Sequence, residues 1–181
     1  MKEAMVRTFK FFLAHQDEEQ ETWLRAMANQ GLHLVDVNPL SFWTFRRGAP
    51  ADVAYRVDYS SAAGKADFHQ LMQDAGWKLA ATTVGWEYWC TPVVNGRAPD
   101  IYTDSVSKTK KFQVVLAILI CTGVPAFIAM MNSDKQALFA EVSMPGRVII
   151  GIIFTVYLLL VPYTIVGLLR RIRQIRAAPA G

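Results

Sequence analysis

The stretch MANQGLHL, residues 27–34, recurs as MQDAGWKL, residues 72–79, with the same skeleton of Met, three residues, Gly, two residues and Leu. The offset is 45 residues at every matched position. In each copy an apolar stripe at helical spacing precedes the glycine, which is typical of a helix that stops at a left-handed residue. The pattern predicts two helices, over 17–31 and 64–76, each ending at its glycine, with Asp17 positioned to cap the first.

Segments with aromatic and β-branched residues at period two surround each predicted helix. They predict one strand before each helix and two strands after it, so each half reads β-α-β-β. Because one unit cannot cover the apolar face of its own sheet, two units side by side predict about six strands with two helices on one face. The predicted fold is α+β, a tandem β-α-β-β repeat forming a two-layer sandwich, with units at about 6–47 and 53–92. The predicted strands are 6–14, 32–37, 41–47, 53–60, 77–84 and 86–92.

Two long segments without a charged residue lie in the C-terminal half, at 112–131 and 148–169. As helices they are each about 30 Å long, which matches the hydrocarbon thickness of a bilayer. A soluble core helix rarely lacks a polar stripe over such a length, so the prediction is a hairpin of two transmembrane helices in the cell membrane. The absence of charge within them favours an anchor over an ion path.

The net charge of +4 comes from residues that flank these segments. Residues 1–107 carry ten Lys and Arg against thirteen Asp and Glu, a net −3, whereas Lys and Arg cluster in 108–111 and 170–181. Basic residues stay on the cytoplasmic side of a membrane. We therefore expect a cytoplasmic domain (1–107), a basic linker (108–111), an external loop (132–147) and a basic cytoplasmic tail (170–181), with both termini cytoplasmic. No direct nucleic-acid partner is expected, because the basic tail adjoins a predicted span.

Aromatic side chains on the predicted strands are the candidate binding residues. A sheet face that helices leave uncovered would present them as an exposed platform, and such patches mark ligand or partner surfaces. Packing in the core between helices and sheet is the alternative, because only one sheet face holds the helices. The residues share faces in three pairs: Trp43 with Phe45, Tyr55 with Tyr59, and Trp86 with Tyr88.

Signals for catalysis are weak. The sequence has no phosphate-binding loop, nucleophile elbow or metal-ligand spacing, so no catalytic residue, metal or cofactor is predicted. Asp58, Asp104 and Cys90 are the candidates for an enzyme acting at the membrane surface, although the two aspartates fit turn or cap positions better. The histidines, including His69, are isolated in the sequence and fit surface or hydrogen-bonded positions.

The sequence resembles the DUF2812 family, a bacterial family of proteins of unknown function, over about residues 7–107. The resemblance implies membrane attachment and a regulatory or sensing role, because such proteins are typically membrane-attached and often encoded beside transcriptional regulators of the PadR type. It implies no catalytic residue. The resembling segments, in order, are FKFF (9–12), WLRAMANQGLHL (23–34), FWTF (42–45), YRVDYS (55–60), GWKL (76–79), GWEYW (85–89) and IYTD (101–104).

Together these features predict a membrane-anchored cytoplasmic binding or regulatory module that senses or scaffolds. Its expected partners are the lipid bilayer and either a protein, with a transcriptional regulator as one candidate, or a small ligand. A homo-oligomer is left open. The alternatives are a subunit of a membrane complex, packed through the glycines of the hairpin, and a membrane-surface enzyme of unknown chemistry.

Overall fold

The structure is a computed structural model that describes residues 4–59, 65–99, 105–132 and 142–177. The chain divides into two compact units, Met1–Ser107 and Lys108–Gly181. The strands are β1 (Met5–Phe9), β2 (Leu32–Val37), β3 (Phe42–Arg47), β4 (Val53–Tyr59), β5 (Lys78–Thr83) and β6 (Trp86–Pro92). The helices are α1 (Asp17–Asn29), α2 (Lys65–Asp74), α3 (Ser105–Asn132) and α4 (Met144–Ala177).

The six strands form two separate three-stranded sheets, both antiparallel. Sheet 1 has the order β1-β3-β2 and sheet 2 has the order β4-β6-β5. The α+β class and the β-α-β-β order of each half agree with the sequence prediction. The prediction of one six-stranded layer with both helices on one face is wrong. In each half the last strand, β3 or β6, lies between the other two strands of that half, so each half forms a three-stranded sheet of its own.

Both predicted helix stops are found. Gly31 has φ +76° and Gly76 has φ +82°, the left-handed conformation that glycine adopts without a steric penalty. The prediction that Asp17 caps α1 is wrong, because Asp17 is the first residue of the helix and Gln16 occupies the cap position. Gln16 makes no side-chain cap bond to α1; its Oε1 instead accepts a hydrogen bond from the Leu13 backbone N–H at 2.9 Å.

The first strand is shorter than predicted, ending at Phe9 rather than at residue 14. The alternating pattern continues through Phe12 because that side chain packs on the core from a loop, with its ring 5.5 Å from Trp23 and 6.0 Å from Trp43. A turn before α1 ends the alternation. Period-two spacing therefore reports burial here rather than strand structure.

The main core of the first unit lies between the two sheets and α1. Although α1 follows β1 in the chain, it packs mainly against β4 of the other half. The Val57 backbone N–H donates to Glu21 Oε1 at 2.9 Å, and the Ala51 N–H donates to the Ala28 carbonyl at 3.1 Å. The buried members of this core are Leu24, Ala28, Leu34, Val37, Trp43, Phe45, Tyr55, Val57, Ala81 and Tyr88.

A second, smaller cluster lies on the opposite face of sheet 2, where α2 packs. It consists of the buried side chains of Met72, Trp77 and Trp89, with Phe68 beside them. Trp89 follows the main-core residue Tyr88, and successive strand residues point to opposite faces. Sheet 2 is therefore covered on both faces.

The second unit consists mainly of apolar helix. Within the described ranges, α4 is the one helix long and apolar enough to cross a membrane, judged by length and composition. The first predicted span, 112–131, overlaps a shorter apolar stretch, Lys111–Pro125, so the two-span hairpin is not confirmed. Most of the predicted external loop, 133–141, lies outside the described residues. α3 and α4 pack against each other at Gly123, where a Cβ atom would lie 2.8 Å from the Tyr157 hydroxyl oxygen.

Candidate functional site

A pocket of about 280 Å³ lies between the two sheets, where both hairpins end. Its inner wall is formed by the buried side chains of Trp43, Val57 and Tyr88. Phe11 and Val84 line it as well and are 56% and 71% exposed, so they stand at its rim. Both halves of the unit therefore contribute to one cavity.

The six aromatic residues predicted to bind a ligand divide between core and pocket. The structure buries four of them, so the core alternative describes these four and they form no exposed platform. Burial does not remove them from the pocket, because two of the four line its wall together with the half-buried Trp86. The buried four are Trp43, Phe45, Tyr55 and Tyr88, and Trp43, Trp86 and Tyr88 line the pocket. Tyr59 is half-buried and contacts Trp86 edge to face, with ring centroids 5.3 Å apart.

Trp43 holds the inner wall of the pocket together. Its ring meets Tyr88 of sheet 2 edge to face at 5.4 Å and Trp23 of α1 at 5.1 Å. Its indole Nε1 donates to the Lys10 carbonyl at 2.7 Å, which fixes the ring orientation. Edge-to-face pairs add about 0.5–1.5 kcal/mol beyond burial, so this contact joins the two sheets at the pocket.

Polar groups occupy part of the pocket lining. Asp17 and Gln20 from the start of α1 are buried there, where the helix N-terminus favours a negative charge. Burial raises the pKa of Tyr88 far above its usual value, so its hydroxyl stays neutral and able to donate. The Thr83 Oγ1 atom is buried and has no hydrogen-bond partner among the described residues. An unpaired hydroxyl in a pocket wall is a ready partner for a polar group on a ligand.

The residues proposed for an enzyme do not come together. Asp58 is paired in register with Glu87, whereas Cys90 is paired with Tyr55 on the other face of sheet 2. Neither lines the pocket. Burial raises the pKa of the Cys90 thiol, which keeps it protonated and weakly nucleophilic. Asp104 lies outside the described residues.

The structure contains a buried polar cluster under α2 that the sequence did not predict. Glu87 is 1% exposed, and its two carboxylate oxygens lie 2.8 and 2.9 Å from His69 Nε2. Lys65 Nζ lies 3.2 Å from the same carboxylate, and the Trp89 indole donates to it at 3.3 Å. Because a carboxylate only accepts, His69 donates from Nε2. His69 is therefore not isolated, and its position one helical turn after Lys65 was the available signal.

Two further features of the pocket lay outside the sequence prediction. Phe11 and Thr83 both line it, although neither belongs to the predicted aromatic faces. Phe11 lies in the loop after β1, in a segment that the alternating pattern predicted as strand.

No cluster of His, Cys, Asp or Glu able to hold a metal ion occurs in the part of the chain that the structure describes.

A comparison with protein families finds a match. The model of DUF2812, described as a protein of unknown function, matches residues 16–124 and so covers more than half of the chain. The match includes α1, both sheets except β1, and the first part of α3. Comparisons with curated proteins and with solved structures find no match.

Proposed function

The chain belongs to the DUF2812 family, and we propose that it is a membrane-anchored binding module that senses a small, mostly apolar ligand in the pocket between its two sheets. The observation that carries this proposal is the aromatic pocket built from both halves of the first unit. A ligand that contacts both sheets stabilises their packing, since it binds the folded arrangement and not the separated halves.

The size and lining of the pocket define the class of ligand. An engineered cavity of about 150 Å³ holds benzene, so a pocket of about 280 Å³ fits a fused two-ring aromatic or a compound of similar volume. Trp43, Tyr88 and Val57 offer apolar contact, and the Thr83 hydroxyl offers one hydrogen bond. We expect a ligand with an apolar body and a single polar group.

The test uses 1-aminonaphthalene and naphthalene as probes with the full-length protein in lipid nanodiscs. Tryptophan emission is followed as each probe is added, and empty nanodiscs correct for probe dissolved in lipid. Ala14 lines the pocket, so Ala14→Phe fills part of the cavity, whereas Ala26→Phe adds the same side chain on the exposed face of α1. We expect saturable quenching in the native protein and in Ala26→Phe, and binding at least about tenfold weaker in Ala14→Phe, the equivalent of ~1.4 kcal/mol.

A second variant tests the hydrogen bond to Thr83. Thr83→Val keeps the shape and removes the hydroxyl, so 1-aminonaphthalene should bind about fivefold more weakly, in line with ~1 kcal/mol for one hydrogen bond. Naphthalene lacks the amine and should bind equally well to both proteins. Quenching that saturates identically in the native protein and in Ala14→Phe would exclude the pocket as the binding site.

We propose further that both apolar segments cross the membrane as a hairpin with both termini in the cytoplasm. The basic residues just before 112–131 and just after 148–169 support this topology. The close packing at Gly123 and Tyr157 supports two adjacent spans, because small residues let membrane helices approach. A reporter that is active only in the cytoplasm, fused at the C-terminus, should be active; activity only of a periplasmic reporter there would reject this orientation.

We propose that the two halves are copies of one β-α-β-β unit and that a protein partner binds the ligand-bound state in preference to the free state. The common strand order supports the first point, as do register shifts at Leu34/Asp36 and Leu79/Ala81, which lie at the same place in each half. A transcriptional regulator is the class of partner that the family resemblance implies.

A further inference from the structure

One end of sheet 1 gathers exposed apolar side chains. β1 ends beside the hairpin that joins β2 and β3, where the Lys10 N–H donates to the Ser41 carbonyl at 3.1 Å. Phe9 is 61% exposed, Phe11 56%, Leu40 72% and Phe42 36%. We call these four residues the sheet 1 tip. Single exposed apolar residues are ordinary, but four large ones at one end of a sheet mark an interaction surface.

The tip is an ordered surface rather than a set of loose side chains. Phe9 and Phe42 are paired in register on adjacent strands, and their ring centroids lie 5.3 Å apart. Arg7 sits two residues before Phe9 and places its guanidinium carbon 4.6 Å from the centre of the Phe42 ring. The Asn38 Oδ1 atom accepts hydrogen bonds from the backbone N–H groups of Leu40 and Phe42, both at 3.0 Å, which holds the hairpin loop.

The charge around the tip is opposite to that of the unit as a whole. Residues 1–107 have a net charge of −3, ten basic against thirteen acidic residues. The two segments that form the tip and its strands, 4–15 and 37–47, contain no Asp or Glu. Of the exposed basic residues in these segments, Arg7 and Lys10 adjoin the tip, whereas Arg46 and Arg47 lie at the other end of β3, where Arg46 pairs with Met5. One exposed acidic residue lies nearby: Asp36 on β2 pairs with Thr44, which is also the partner of Arg7. An apolar tip with two adjoining basic side chains is complementary to an anionic bilayer surface, where apolar groups enter the interface and basic groups meet the headgroups.

We propose that the sheet 1 tip docks on an anionic lipid bilayer. Phe9, Phe11 and Leu40 enter the interface, and Arg7 and Lys10 contact lipid phosphates. A bilayer is favoured over single-stranded nucleic acid because the tip includes aliphatic Leu40, and because the same chain carries a helix long and apolar enough to cross a membrane. Docking would hold the first unit against the membrane. Because Phe11 also lines the rim of the pocket, the test uses substitutions at Arg7, Lys10 and Leu40, none of which lines the pocket.

Hydrogen–deuterium exchange of the full-length protein tests this proposal in two kinds of nanodisc, one of phosphatidylcholine alone and one of equal parts phosphatidylcholine and phosphatidylglycerol. We expect slower exchange in peptides covering 4–11 and 38–47 on the anionic discs only. Each basic residue near an anionic surface contributes about fivefold to the association, so Arg7→Gln with Lys10→Gln should weaken docking by about 25-fold. The matched control is Lys78→Gln with Arg97→Gln, two exposed basic residues away from the tip, and it should retain full protection.

A leucine pair tests the apolar part of the surface. Leu40→Ser removes an exposed leucine of the tip, and Leu71→Ser removes one on α2 that is 52% exposed. Only the first should reduce protection. Equal exchange on the two discs, or protection that survives both Leu40→Ser and the Arg7 and Lys10 substitutions, would overturn the proposal. Protection that requires an added single-stranded oligonucleotide would assign the tip to nucleic acid and overturn it as well.

Discussion

Sheet 1 and sheet 2 have the same strand order but differ in how many of their faces are covered. Sheet 2 is covered on both faces, by the main core on one and by α2 on the other. Sheet 1 is covered on one face, and its other face presents Met5, Phe9 and Phe42 to solvent. The difference arises because α1 packs against β4 of the other half. Two halves with one local pattern therefore have different tertiary roles, one forming the protein interior and the other an available surface.

The largest expected difference between the halves is at their matching helix stops. A Cβ atom at Gly31 would collide with the Gly48 carbonyl oxygen, whereas nothing lies within 4 Å of a Cβ at Gly76. Gly31→Ala adds this backbone collision to the left-handed penalty and should destabilise the protein by about 4 kcal/mol. Gly76→Ala has only the penalty and should cost about 1–2 kcal/mol. Denaturant unfolding followed by tryptophan fluorescence measures both values.

The two glycine substitutions control each other, because they make the same chemical change at positions 45 residues apart. Gly31→Asn refines the result, since asparagine tolerates the left-handed conformation but still carries a Cβ. It should remain close to Gly31→Ala. Equal losses for Gly31→Ala and Gly76→Ala would show that the two helix stops have the same surroundings, against the structure.

The elements that the sequence predicted well depend on local signals. The glycine stops, both hairpins and the α+β class follow from backbone preference and side-chain alternation within short windows. The packing of α1 on β4 depends on contacts between residues such as Glu21 and Val57, which are far apart in the chain, and no local pattern reports such a pairing. For the same reason the aromatic residues were identified as a group, but Trp43 and Tyr88 could be placed in a pocket wall only from the structure.

The second difference between the halves is the register in which β2 pairs with β3 and β5 pairs with β6. Leu34 pairs with Phe45 and is 6% exposed, whereas Leu79, its match, pairs with Trp89 and is 40% exposed. By the 45-residue offset Leu79 would pair with Cys90, so the second hairpin is shifted by one residue. A shift of one residue turns a side chain to the other face of the sheet. Leu34 therefore belongs to the main core and Leu79 does not.

Leucine truncation measures this register difference. Leu34→Ala should cost about 3 kcal/mol, because it leaves a cavity between the sheets. Leu79→Ala should cost less than about 1 kcal/mol, since the side chain is partly in water already. Denaturation midpoints of the two variants provide the comparison. A larger loss for Leu79→Ala would mean that sheet 2 has the register of sheet 1, and the pairing described here would be wrong.

The smallest expected effect concerns the turns that close the two hairpins. A four-residue loop, 38–41, joins β2 to β3, whereas Thr83 pairs with Trp86 and only Val84 and Gly85 join β5 to β6. Both residues of the short turn have positive φ, +46° and +83°, which is typical of a type I′ turn. Such turns favour Asn-Gly, and a β-branched residue in the left-handed region is strained. Val84→Asn should therefore stabilise the protein by about 1 kcal/mol.

Ser41 supplies the control for this substitution, because it also has positive φ, +62°, but lies in the longer loop and is not β-branched. Ser41→Asn should change stability by less than about 0.5 kcal/mol. Val84 is also 71% exposed at the rim of the pocket, so its strain is explained if the side chain contacts a ligand. Val84→Asn should then raise the unfolding midpoint while weakening 1-aminonaphthalene binding. A gain in stability with unchanged probe binding would leave Val84 as a turn residue only and would place the ligand deeper, against Trp43 and Tyr88.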